Sequence, residues 1–152
     1  MKRMKLAAKG RYAPPPSLPE HAQRVAEIVA SWPKVHARTH WELGDERIVD
    51  GADFYFGDAP DAEELGHLHL YGQAHVAMPA KLAAAVIAAG LGERFAYSRH
   101  IVVFDVDSRG AVPHATWLFQ LSYDHTSGTP TDALLARVQE LATAKRKRRP
   151  AA

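Results

Sequence analysis

Apolar residues recur along this chain with two different periods. Val25, Ile28, Val29 and Trp32 fall at i, i+3, i+4 and i+7, the spacing of one helix face. Ser17-Leu18-Pro19-Glu20 precedes them. The serine can cap, the proline suits the first turn, and Glu20 completes a capping box. Pro33 ends the helix. From Val35 the period becomes two. Val35, Ala37, Thr39, Trp41 and Leu43 alternate with His36, Arg38, His40 and Glu42, which predicts a strand with its polar set at the surface. Gly44-Asp45 turns the chain into a second strand, Ile48 to Phe56, with Gly51 inside it. After a loop at 57–61, Leu65 to Met78 reads as a hairpin. Pro79 then opens a helix with a Leu82, Ala85, Val86, Ala89 stripe, and Gly90 supplies its left-handed end. The apolar run Arg99 to Val106 suits an inner strand. Pro113 opens a helix that turns Trp117, Leu118 and Leu121 inward. Ser127–Pro130 breaks it, and a last helix from about Thr131 aligns Leu134, Val138 and Leu141. Trp41, Trp117 and Tyr123 sit at periodic positions that predict core. The element order and the short links between clustered strands predict an α+β fold, a mostly antiparallel sheet with helices packed on one face. The chain has no Gly-x-Gly-x-x-Gly and no Gly-x4-Gly-Lys-Ser/Thr, so a nucleotide-binding doubly wound fold does not fit.

With 152 residues, 47% of them hydrophobic, one domain with its own core is expected. The expected division is a basic, Pro-rich leader at 1–16, one domain at 17–144 and a basic tail at 145–152. No apolar run reaches the roughly 18–20 residues that span a bilayer. No long apolar stretch follows the basic start, so no secretory signal is expected and the cytoplasm is the default location. The absence of cysteine excludes disulfides, thiolate metal sites and a cysteine nucleophile. Charge divides unevenly. Ten of the 19 Lys and Arg residues lie at 1–11 and 145–149, whereas residues 12–144 hold nine basic and all 17 acidic side chains, a net charge of −8. A nucleic-acid-binding fold would carry its basic face within the domain. Solvated tails are therefore expected, and neither nucleic acid nor membrane is expected as a partner.

The candidate chemistry lies in the hairpin. In Leu65-Gly-His-Leu-His-Leu-Tyr71, residues His67, His69 and Tyr71 share one face. In Gln73-Ala-His-Val-Ala-Met78, His75 lies with Gln73. A three-residue loop at 71–73 keeps polar opposite polar, pairs His69 with His75, and uses Gly72 at a left-handed position. Three chemical readings follow. Paired imidazoles titrate near neutrality and can move protons. With Tyr71, and with Arg94 or Arg99 from the next segment, His67, His69 and His75 can bind and deprotonate an acidic, aromatic or enolic small molecule. No motif calls for a cofactor. Three neutral imidazoles could instead hold a divalent transition metal, with Glu64 adding a carboxylate. The plainest reading is a polar sheet surface. His36 and His40 read as surface, and His114 and His125 as helix-end residues. His-x-His is similar to a cupin metal motif, but the later Glu and the second Gly/His motif of that family are missing.

Glu64-Leu-Gly-His-Leu-His69, an apolar strand ending near Pro79, and a helix closing on Gly90 together resemble the luciferase-like domain, a family of small bacterial proteins that includes the fungal luciferase. Gly51-Ala-Asp-Phe-Tyr-Phe-Gly57, Gly92-Glu-Arg94, the strand at His100–Val106 and a helix ending in Leu121-Ser-Tyr123 continue the match, over roughly residues 46–126. The resemblance implies oxygenase-like chemistry on a small enolic or phenolic substrate, since the fungal member oxidises a hydroxypyrone with molecular oxygen. It also leaves room for a non-catalytic ligand- or protein-binding module. It points to His67, His69, Arg94 and Tyr123. His100 stands where bacterial relatives often carry tryptophan, at a pocket wall, and His75 departs from the fungal pattern.

Overall fold

The structure is a computed structural model that describes residues 17–42 and 45–148, the side chains of 45–47 excepted. The expected leader, the turn at Gly44 and residues 149–152 lie outside the described residues. In chain order the elements are α1 (Glu20–Ala30), β1 (Val35–Glu42), β2 (Asp45–Phe56), β3 (Glu63–His69), β4 (Gln73–Ala77), α2 (Ala80–Ala88), β5 (Glu93–Arg94), β6 (Ile101–Asp105), α3 (Ala111–Thr126) and α4 (Thr131–Arg148). Six strands form one sheet, ordered β1-β2-β3-β4-β6-β5, and every neighbouring pair is antiparallel. The fold is α+β. The two-residue β5 is the one strand that the hydrophobic pattern does not reveal. Lys145 to Arg148 belong to the end of α4, where they are exposed.

Alternation along the strands sorts side chains into two layers. Ala52, Phe54, Leu68, Ala74, Val76 and Val102 are fully buried and face the helices. Phe119 of α3 meets Phe54 edge-on at 5.6 Å, and α3 packs on β3, β4 and α1. Helix α4 lies against α2 and α3 through Leu134, Val138 and Ala142. Ser122 crosses from α3 to donate to Leu65 O at 3.1 Å. Trp117 and Tyr123 pack against this core as expected, whereas Trp41 is half-buried outside it.

Two local expectations change. Ser17 makes no cap on α1; Gln23 Oε1 instead reaches back to accept the Leu18 N–H at 3.1 Å, just ahead of the helix. The β3–β4 loop is three residues long, as expected, but sits one position earlier. His67 pairs with His75 and Leu68 with Ala74, so the pairing of His69 with His75 is corrected. Leu70 N–H is taken by Asp50 O of β2, which draws Leu70 out of the hairpin ladder. Gly72, at φ 93°, turns the chain there. Moving the loop by one residue shifts the register sum by two, so every side chain keeps its predicted face.

Gly66 lies where β3 meets both β4 and α3. A Cβ there would stand 2.4 Å from His75 O and 2.9 Å from the Phe119 ring. Gly66→Ala is expected to cost about 3 kcal/mol, at the upper end of overpacking penalties, read as a lower urea midpoint. His114 gives a second prediction. Its Nε2 donates to Leu91 O at 2.6 Å, and burial holds its pKa below the ordinary value of 6.5. The ring stays neutral in the native state while the unfolded chain binds a proton. Its contribution to stability is thus intact above pH 6.5 and lost as pH falls below it. Melts from pH 7.5 to 5 are expected to fall less steeply for His114→Gln than for the parent.

Candidate functional site

The face opposite the helices gathers four imidazoles from three strands: His40 of β1, His67 and His69 of β3, and His75 of β4. Regular alternation brings them there. His40 and His69 are the two cross-strand partners of Gly51, and His67 lies between Asp53 and His75 in register. Gly51 places no side chain between its partners. A Cβ there would collide with Leu68 O at 1.9 Å, and its φ of +153° suits glycine. The rings pack closely. His40 stacks on His67 at 4.2 Å and 9°, His69 meets His75 at 4.4 Å, and His67 meets His69 at 4.7 Å.

Three carboxylates stand behind three of these rings. His40 Nδ1 lies 2.7 Å from Asp53, His69 Nδ1 2.8 Å from Asp50, and His67 Nδ1 3.1 Å from Glu64. Asp53 reaches its place by plain alternation. The other two arrive through bulges, which re-aim a side chain by inserting one residue into a strand. In β2 the register passes from His40↔Gly51 to Trp41↔Val49, leaving Asp50 as the extra residue. In β3 it passes from Phe54↔Gly66 to Tyr55↔Glu64, leaving Leu65. Leu65 joins the core, and Glu64 comes onto the same face as His67 three residues away. A flat strand would hold the two on opposite faces.

The partners assign the protons. An ionised carboxylate only accepts, so each Nδ1 donates, and the Nε2 of a neutral ring carries a bare lone pair. His67 Nε2 and His69 Nε2 lie 3.1 Å apart. His75 is oriented the other way. Asp105 accepts from the Gln73 amide at 2.9 Å, which turns the Gln73 oxygen toward His75 Nε2 at 2.8 Å. Nε2 of His75 therefore donates.

Electrostatics separate the rings. Burial, then the charge of His67, lowers His69 to about 4. Burial, then the charges of His67 and His69, lowers His75 to about 3. Burial pulls His40 down as well, but the hydrogen bond and charge of Asp53, with Glu64 and Asp50, carry it above its ordinary value. Burial, then the charge of Glu64, raises Asp53, against its bond to His40.

These side chains line a cavity of about 510 Å³, rimmed by Tyr71 and Phe95. Tyr71 stacks on His69 at 4.9 Å and 14°, and Phe95 meets His75 edge-on at 4.9 Å. A larger cavity, about 810 Å³, lies along α1 by His21, Arg24 and Arg109. It shares no lining residue with the cleft, and the convergence of imidazoles favours the smaller one as the site. Among the described residues two groups have donor atoms close enough for a metal ion: His40, His67 and His69, or Asp53, Glu64 and His67.

The structure thus brings His67, His69, His75 and Tyr71 together. It places the other candidates elsewhere. Arg94 is exposed on β5, opposite Val102. His100 lines a neighbouring cavity with Glu63, Met78 and His125, which shares Glu64 and Ala77 with the cleft. Tyr123 is on the helix side, its hydroxyl donating to Pro33 O and its ring packed on Trp32 and Phe56. Arg99 is exposed. The surface expectation for His40 is corrected: it is part of the cleft. Arg38 beside it is buried too, its guanidinium over the Tyr55 ring and donating to Ala59 O. His36 remains exposed. Asp50, Asp53, Gln73 and Phe95 also belong to the cleft without having been read from the pattern. The polar alternation of β1 was the available signal for His40, because that row continues the polar row of the hairpin across β2.

Residues 62–122 match the family model of the Luciferase domain. No curated protein and no solved structure matches the chain. No helix among the described residues is long and apolar enough to cross a membrane.

Asp53 is about 1% exposed and accepts from both His40 and the Tyr55 hydroxyl. Asp53→Ala removes the acceptor of both bonds and is expected to cost about 3 kcal/mol. Asp53→Asn keeps an accepting oxygen and is expected to cost less than half of that. Denaturant melts of the two variants compare them directly.

Proposed function

We propose that this chain, whose residues 62–122 match the family model of the Luciferase domain, is an enzyme that acts with molecular oxygen on a small enolic or phenolic substrate in the histidine cleft. The observation that carries the reading is the convergence of three carboxylate-backed imidazoles beneath an aromatic rim. Tyr71 and Phe95 line the same cleft as the imidazoles and would offer aromatic partners to a flat ring. A hydroxyl on such a ring would be the group that the Nε2 atoms of His67 and His69 accept from.

The chemistry balances with oxygen as the sole co-reactant. The substrate O–H bond breaks and its proton passes to the imidazole cluster. The electron pair of the resulting enolate, delivered in one-electron steps, forms a carbon–oxygen bond to dioxygen. Dioxygen is thereby reduced to the peroxide level, and its distal oxygen takes the proton back. The product is a keto hydroperoxide, the substrate having lost two electrons. The carboxylates support the proton transfer by fixing each ring and its tautomer. A second reading uses the same residues. The two facing nitrogens also suit a divalent cation, which would supply Lewis-acid polarisation of the substrate hydroxyl.

Oxygen uptake by the full chain over a panel of hydroxypyrones, phenols and cyclic enols tests the proposal. Saturable uptake is expected on at least one compound class, with kcat/KM lowered ~10²–10⁴-fold in His67→Ala and His69→Ala. Neither uptake nor saturable binding across the panel would rule the enzyme out and favour a non-catalytic module.

A further inference from the structure

We propose that His40, His67 and His69 form a three-nitrogen site for one divalent first-row transition metal, each ligating through Nε2. The inference rests on reading this cleft as the functional site and names the cofactor that it takes.

The first argument is the pair of facing lone pairs. With both Nδ1–H groups committed to Glu64 and Asp50, the Nε2 atoms of His67 and His69 have no proton of their own to share across their 3.1 Å separation. Two lone pairs at that distance repel. Something positive has to lie between them, either an added proton or a cation. Metal–nitrogen bonds of 2.0–2.1 Å set ligand nitrogens about 3.3 Å apart at a tetrahedral angle and about 2.9 Å apart at a right angle. The observed separation falls between those values.

The second argument is the third ring. His40 offers a ring nitrogen, and the donor atoms of His40, His67 and His69 all lie within 4.8 Å of one another. Asp53 holds its Nδ1, so Nε2 is the nitrogen that His40 offers, once its ring turns out of the parallel stack on His67. One added proton would bridge two nitrogens and leave the third, His40 Nε2, with only the Asp50 carboxylate at 3.8 Å. A dication serves all three, and it lies among three carboxylates rather than one. Backing each ligand imidazole with a carboxylate is also the arrangement that fixes ring orientation and raises ligand basicity in metal sites.

The chemistry of the donors narrows the choice further. Three imidazoles suit zinc, iron, copper or nickel ahead of magnesium or calcium. The alternative set of Asp53, Glu64 and His67 would take carboxylates already engaged by ring N–H groups. His75, the third ligand that the hairpin alone suggests, has its Nε2 committed to Gln73, so His40 replaces it. Three protein ligands leave a coordination position for water or a substrate oxygen, which distinguishes catalytic from structural sites.

The test needs no substrate. The full chain, stripped with chelator, is titrated with Co²⁺ and Zn²⁺ by calorimetry and visible absorption. One equivalent is expected to bind, with Co²⁺ giving ligand-field bands. His40→Ala, His67→Ala and His69→Ala are each expected to lose roughly 100-fold or more in affinity, and Asp50→Asn and Glu64→Gln about 10–100-fold. His36→Ala, on the exposed row, is expected to bind as the parent does. If the alanine variants do not fold, the two isosteric variants decide. Affinity in them equal to the parent, or no binding by the parent tighter than about 1 mM, would overturn the proposal. The two proposals fail separately. Stoichiometric binding without oxygen uptake keeps the metal site and removes the oxygenase, whereas uptake by metal-free protein that binds no metal does the reverse.

Discussion

A hydrogen bond to one nitrogen of an imidazole decides what the other nitrogen can do, and the cleft is organised by that rule. Asp53, Asp50 and Glu64 take the Nδ1–H of His40, His69 and His67. What remains on each ring is one outward lone pair. Gln73 applies the same rule in reverse to His75, and Asp105 fixes Gln73 in turn. The cleft is therefore a set of rings whose tautomers are written by their neighbours. Burial makes this strict, because a polar atom away from water that loses its partner recovers nothing from solvent.

The backbone meets this demand by breaking its own regularity in two places. A sheet of strict alternation would bring Asp53 to the histidine face but would turn Asp50 and Glu64 away from it. The extra residues at Asp50 and Leu65 reverse that. Gly66 stands beside the second irregularity, and Gly51 beside the first. Each glycine is where a neighbouring strand comes too close for a Cβ. Close approach of the strands and rotation of the carboxylates belong to one local solution.

This accounts for what the sequence disclosed and what it withheld. The helices and five of the strands follow from apolar spacing, because each needs one continuous apolar stripe. The faces of His67, His69 and His75 also followed, since parity survives a loop shifted by one position. The exact cross-strand partners did not follow, because Leu70 chose a β2 carbonyl over the hairpin ladder and no side-chain pattern announces such a choice. Asp50 was hidden by the same period-two rule that revealed the histidines, and Glu64, noticed only as the residue ahead of the strand, owes its place on the histidine face to a bulge that the rule does not foresee. His40 looked like surface because alternation marks a row as polar without saying whether another segment covers it. Here Phe95 and the turn at Tyr71 close over the row. Tyr123 illustrates the converse. The family pattern draws notice to it, yet its hydroxyl ties α3 to Pro33, on the far side of the sheet from the histidines.

The sheet between the helices and the histidines is one residue thick, and neighbouring positions on a strand answer to different masters. Leu68 and Val76 face the packed helices; His67, His69 and His75 face the cleft. Changes in the two sets are nearly separable as far as the fold is concerned. The rim is freer still, since Tyr71 is 67% exposed and neither it nor Phe95 belongs to a strand. A lineage could exchange these aromatics, and with them the shape of the cleft's mouth, while the rings and carboxylates below stayed as they are. Such an architecture lets the mouth of the cleft drift quickly over a slowly changing floor.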